Sequence, residues 1–100
     1  MAATNILTAD EAANALRSET TDQVMLELLP MVDAYIETAT GRDWTQDDTI
    51  YEQAKAAARM LLVMWYENPA MISVAPSLQF GLTAALLQLE AIALELEESA

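Results

Sequence analysis

The chain has one hundred residues, sixteen acids against four bases, no histidine, no cysteine and a formal net charge of −12; 54% of it is hydrophobic and 20% charged. That length and apolar share suit one folded domain over residues 1–100, and they exclude an intrinsically disordered chain. The missing histidine and cysteine exclude thiolate nucleophiles, Cys/His zinc sites and Glu-x-x-His di-iron bundles, and they remove the commonest general base.

In chain order, "LTADEAANALR" opens with Thr8 followed by Glu11, a capping-box spacing that predicts a short helix over about Ala9 to Arg17. The polar turn "SETTDQ" follows, and Thr20 or Thr21 is placed to cap a second helix reaching about Thr40, where Gly41 offers a left-handed stop. On a 3.6-residue wheel Val24, Met25, Leu28, Leu29, Met31, Val32, Tyr35, Ile36 and Ala39 share one broad apolar face. Asp22, Gln23, Glu27, Asp33, Glu37 and Thr38 share the other. Pro30 lies inside this pattern, removes one backbone hydrogen bond and predicts a kink or a split.

"GRDWTQDD" leads to a third helix, with Asp47 or Asp48 as its cap and Asn68-Pro69 as its end. Its core face is Ile50, Ala54, Ala57, Ala58, Leu61, Leu62, Met64 and Trp65. Ala56, Met60 and Val63 form a second apolar stripe among Glu52, Lys55, Arg59 and Glu67. "NPAMISVAPSLQFG" reads as an extended connector with a brief extended stretch at "MISVA". A fourth helix runs from about Leu82 to Glu97. It buries Leu82, Ala85, Leu86, Leu89, Ile92, Ala93 and Leu96, and it carries Leu87 and Leu94 on the opposite side beside Glu90 and Glu97. The expected fold is therefore all-α, one short and three longer helices, with Leu28, Val32, Tyr35, Ile36, Leu61, Trp65, Leu86 and Leu89 in its core.

All four cations, Arg17, Arg42, Lys55 and Arg59, precede Met60, and beyond it only acids follow. No basic stripe is available to grip phosphates, so ordinary DNA or RNA binding is not expected. The longest apolar run, "MLLVMWY", is far below the ~20 residues that span a bilayer, and "MAATNILTADEA" has no basic-and-apolar signal pattern; a soluble protein made in a cytoplasm is expected. The acid pairs Asp10-Glu11 and Asp47-Asp48 sit where helix N-termini are expected, and the helix dipole favours acids there without any catalysis. "DWTQDDTIYE" lacks the alternating acids and the sixth-position glycine of a calcium loop. There is no Gly-rich phosphate loop, and methionine in core stripes is ordinary. Neither enzyme, cofactor nor metal is expected.

Single apolar residues on a surface are ordinary. Two stripes and a charge-free stretch from Asn68 to Leu89 in one small chain point instead to surfaces covered by other subunits, at Ala56, Met60, Val63, Leu87 and Leu94. The order of "YIETATGRDW" (Tyr35 to Trp44), "AARMLLVMWYEN" (Ala57 to Asn68) and "FGLTAALL" (Phe80 to Leu87) resembles the head–tail connector family of long-tailed lambdoid-type phages, also called adaptor or head-completion proteins. The resemblance covers roughly Leu7 to Gln88. No single motif carries it; the ordered set does. The chain departs from the family in two places. The link between the second and third helices is short, without the strands some members carry there, and the acidic helix "QLEAIALELEESA" continues where many members stop.

The resemblance implies a homo-oligomeric ring at the virion's head–tail junction, beneath the portal protein and above a head-closure (stopper) or tail-completion protein. In such a ring DNA passes through the lumen without specific binding, and no membrane is involved. A ring needs two different patches per subunit, which two stripes supply. Acids lining a channel repel a phosphate backbone, although acidity also serves plain solubility. The alternative is an acidic helical inhibitor that mimics DNA and blocks a nucleic-acid-binding protein. It needs acids spread over one exposed face, and it leaves the two stripes unexplained.

Overall fold

The computed structural model describes residues 5–46, 49–67 and 80–99, with side chains described over 84–97 of the last stretch. The fold is all-helical: α1 (Ala9–Leu16), α2 (Gln23–Thr40), a 3-10 turn (Trp44–Gln46), α3 (Glu52–Glu67) and α4 (Phe80–Ser99). The expected connector up to Gln79 and the caps at Asp47 or Asp48 lie outside the described residues, and α4 begins two residues earlier than expected, taking Phe80 and Gly81 from the connector into the helix.

α1 starts as its sequence dictates. Thr8 Oγ1 accepts from Glu11 N–H at 3.1 Å while Glu11 Oε1 accepts from Thr8 N–H at 2.9 Å, the reciprocal capping box. The helix ends one residue earlier than expected because Arg17 adopts the left-handed conformation, φ +56°, and acts as the C-cap. Ile6 and Leu7, just ahead of α1, are buried although no periodicity marks them.

α2 begins after Asp22 rather than after Thr20 or Thr21. Asp22 Oδ1 caps it by accepting from Met25 N–H at 3.2 Å. Pro30 does not split α2, which runs unbroken to Thr40. The ring is exposed, so water can reach the Leu26 carbonyl that lacks its helical donor. Gly41 closes the helix at φ +79°, its N–H donating to Glu37 C=O at 2.7 Å. Two residues expected on the apolar face of α2 are instead exposed, Val24 at 53% and Met31 at 40%. Each stands at an edge of the face, where a wheel angle does not say which neighbour covers it.

The turn after Gly41 is tied into the body of the fold. Buried Thr40 donates Oγ1–H to Ile36 C=O at 2.8 Å and accepts from Trp44 Nε1–H at 2.9 Å. Trp44 is buried, meets Tyr51 edge-on at 5.6 Å, and has the Arg42 guanidinium 4.7 Å above its ring. Asp43 Oδ1 accepts from both the amide and the hydroxyl of Thr45, setting the 3-10 turn.

α3 is the centre of the packing: α2, α4 and α1 all lie against it, and α4 also rests on α2. Ala54, Ala57, Ala58, Leu61, Leu62, Met64 and Trp65 are buried, with alanines in the first half allowing close helix approach. Among the expected core residues Leu28, Val32, Ile36, Leu61, Trp65 and Leu89 are buried, and Tyr35 and Leu86 are half-buried against them. Tyr35 meets Trp65 edge-on at 5.8 Å.

Candidate interaction surfaces

Over its described side chains α4 is apolar on two opposite sides. Leu89 and Ala93 are buried, and Ala85, Leu86, Ile92 and Leu96 are half-buried on the side facing α2 and α3. On the opposite side Ala84, Leu87, Ala91 and Leu94 are all exposed, Leu87 at 62% and Leu94 at 55%. Their alternating spacing of three and four residues is that of a coiled-coil seam, so they form one straight stripe along the helix. Exposed Glu90 and Glu97 lie along one edge of this seam and exposed Gln88 and Glu95 along the other.

α3 carries the second expected stripe. Met60 is exposed at 44%, while Ala56 and Val63 are half-buried. Ala56, Arg59 and Met60 form one wall of a groove of about 520 Å³ whose other wall is Ala84, Ala85 and Gln88 of α4. A second groove, of about 430 Å³, runs between the C-terminal end of α2 (Thr40, Gly41, Arg42) and the C-terminal half of α4 (Ala93, Leu94, Glu97). The α4 seam thus lies between two grooves, with Ala84 opening into one and Leu94 into the other.

Of the acids expected at helix N-termini, Glu11 is engaged in structure. Glu11 completes the α1 capping box and pairs with Lys55 of α3 at 2.8 Å. Burial works against its charge, but the Lys55 ammonium and the Thr8 amide outweigh that and hold the carboxyl below its ordinary value. The hydrogen bond to Glu11 in turn raises Lys55. Asp22 belongs to the polar side of the α2 wheel. It binds three donors: Met25 N–H, Ser18 Oγ–H at 2.6 Å and Tyr66 Oη–H from the last turn of α3. The hydroxyls of Ser18 and then Tyr66 hold its pKa low.

Asp33, also on the polar side of the wheel, is half-buried with Oδ1 accepting from Ile6 N–H at 3.1 Å. The buried Ile6-Leu7 segment comes back to this side of α2. Burial, opposed by the Ile6 amide and aided by the nearby Asp43 charge, pushes the Asp33 pKa up to about 6. A raised carboxyl is a signature of catalytic acids when it faces a cleft; the two grooves above are lined by other residues. Among the described residues no group of three or more acids is arranged to hold a metal ion, and no helix is long and apolar enough to cross a membrane. Comparison of the chain with protein families, with curated proteins and with solved structures finds no match.

Proposed function

We propose that the chain is a ring-forming structural subunit of a phage head–tail connector, placed between the portal and the head-closure or tail-completion protein. One observation carries the reading. α4 exposes an apolar stripe at Leu87 and Leu94, on the side away from its buried face, and the α3 stripe exposes Met60 beside half-buried Ala56 and Val63. A monomer gains nothing from two such stripes; a subunit that meets neighbours beside it and proteins above and below it uses both. The ordered resemblance of Tyr35–Trp44, Ala57–Asn68 and Phe80–Leu87 gives the stripes their context. The left-handed Gly41 and the Trp44 tie are compatible with the helix-ending turn in the first of those motifs. In this reading the net charge of −12 lets DNA pass the lumen without being gripped.

Size-exclusion chromatography with light scattering, alone and with portal-bearing capsids, tests the proposal. Met60→Glu and Leu94→Glu each place a charge on an exposed stripe and should keep helical circular dichroism while assembly or capsid attachment fails. Val63 is half-buried, which makes Met60 the cleaner site. Leu61→Glu should unfold the subunit, because Leu61 is fully buried. Intact assembly in both stripe variants defeats the interface assignment. A compact monomer that binds neither portal nor capsid, but blocks a nucleic-acid-binding protein, establishes the acidic mimic instead.

A further inference from the structure

We infer that the outer seam of α4 is a docking surface for an amphipathic helix of a different protein, one whose own apolar seam is flanked by lysine or arginine. The inference goes beyond the ring and does not need it.

Three features of the seam carry it. First, its shape fits a helix. Ala84, Leu87, Ala91 and Leu94 repeat at the coiled-coil spacing, and all four are exposed. From Ala84 to Leu94 the seam runs about 15 Å, roughly three turns. The alanines let a partner backbone come close, and the leucines project as knobs between them. Second, the seam's edges are of one sign. Glu90 and Glu97 line one edge and Glu95 the other, and α4 contains no lysine or arginine. In a two-helix contact the edge residues of one helix meet those of the other and decide which partner is accepted. Third, a second copy of this chain is the wrong partner for this seam. Two α4 helices, parallel or antiparallel, set glutamates against glutamates, and each copy brings a net charge of −12 to the encounter. The remaining cations offer little. Lys55 is paired with Glu11, and Arg42 lies over Trp44. That leaves Arg59, beside Met60 on α3, and exposed Arg17, whose backbone alone forms the α1 cap, to set against Glu90 and Glu97. A basic-flanked helix satisfies both the apolar and the charged parts of the surface together.

The full chain can be tested with a designed probe: a labelled synthetic amphipathic helix with a Leu/Ala seam and lysine at both flanks. Two controls accompany it, one with glutamate flanks and one with a glutamine seam. By fluorescence anisotropy the lysine-flanked helix should bind and the two controls should not, and added salt should weaken the binding. Leu87→Gln with Leu94→Gln should weaken it about tenfold or more, the loss expected of central apolar anchors, with circular dichroism unchanged. Glu90→Lys with Glu97→Lys should transfer preference to the glutamate-flanked helix. The inference is overturned if the lysine-flanked helix fails to bind, or if it binds equally to the glutamine double variant, which leaves only charge attraction. It is also overturned if both flank types bind alike, or if the chain alone forms an oligomer that the Leu87 and Leu94 changes dissolve. In that last case the occupant is a second copy, and the ring reading survives while this one does not.

Discussion

Replacing Asp33 with asparagine isolates a pH dependence that belongs to one side chain. The Asp33 carboxyl has a pKa of about 6 in the fold against an ordinary 3.8. The native state therefore holds its proton more tightly than the unfolded chain does. The sign follows from linkage: below about pH 4 both states are protonated and Asp33 costs nothing. Between about 4 and 6 the unfolded chain ionises first, so native stability falls as pH rises, and above about 6 the full penalty is in place. The shift corresponds to about 3 kcal/mol at full value. The carboxylate is only half-buried, and solvent screening reduces the penalty to about 1–2 kcal/mol. In Asp33→Asn the side-chain oxygen still accepts from Ile6 N–H while no charge is buried. Urea unfolding at pH 4 and at pH 8 should show the variant gaining about 1–2 kcal/mol on the parent across that interval. Glu90→Gln removes an exposed charge and controls for net charge alone. A stability difference between Asp33→Asn and parent that stays flat from pH 4 to pH 8 refutes the reasoning.

Gly41→Val should lower stability by about 1–2 kcal/mol in a thermal melt. The added Cβ meets nothing within 4 Å, so the loss is backbone strain at φ +79° and not a clash. Gly41→Asn, which tolerates that conformation, should lose less; equal losses in the two variants contradict the assignment. Trp65→Ala should cost about 3–5 kcal/mol by emptying the site beside Tyr35 and Leu61. Trp65→Phe should cost much less, because the buried Nε1–H has no acceptor among the described residues and its removal spares that desolvation. A Phe variant as unstable as the Ala variant shows that the indole nitrogen contributes to the fold.

The elements most legible in the sequence were those whose signals are local. The capping box at Thr8, the stop at Gly41 and the core face of α3 depend on spacings of three and four residues, which a wheel reads directly. The exposed stripes were legible for the same reason, since Met60, Leu87 and Leu94 oppose strong apolar faces. What escaped depends on distant chain. Thr20, Thr21 and Asp22 are all good caps in a row, and the donors arriving from Ser18 and from Tyr66, far along the sequence, favour Asp22. Asp33 reads as solvated until the Ile6-Leu7 segment, itself without periodicity, returns to it. Val24 and Met31 read as core because a wheel gives an angle and not a neighbour.

Asp22 joins three places in the chain: the turn after α1 through Ser18, the start of α2 through Met25, and the end of α3 through Tyr66. Its consequence lies in how the molecule opens. Helix ends ordinarily fray one by one, each exchanging its amide hydrogens on its own schedule. Here the last turn of α3 cannot loosen without taking a donor from the carboxylate that holds the first turn of α2. The amides of these two turns should therefore exchange as one unit, with a shared opening free energy. Tyr66→Phe should divide that unit, speeding exchange at the start of α2, 44 residues away in sequence, and leaving the capping box of α1 on its former clock.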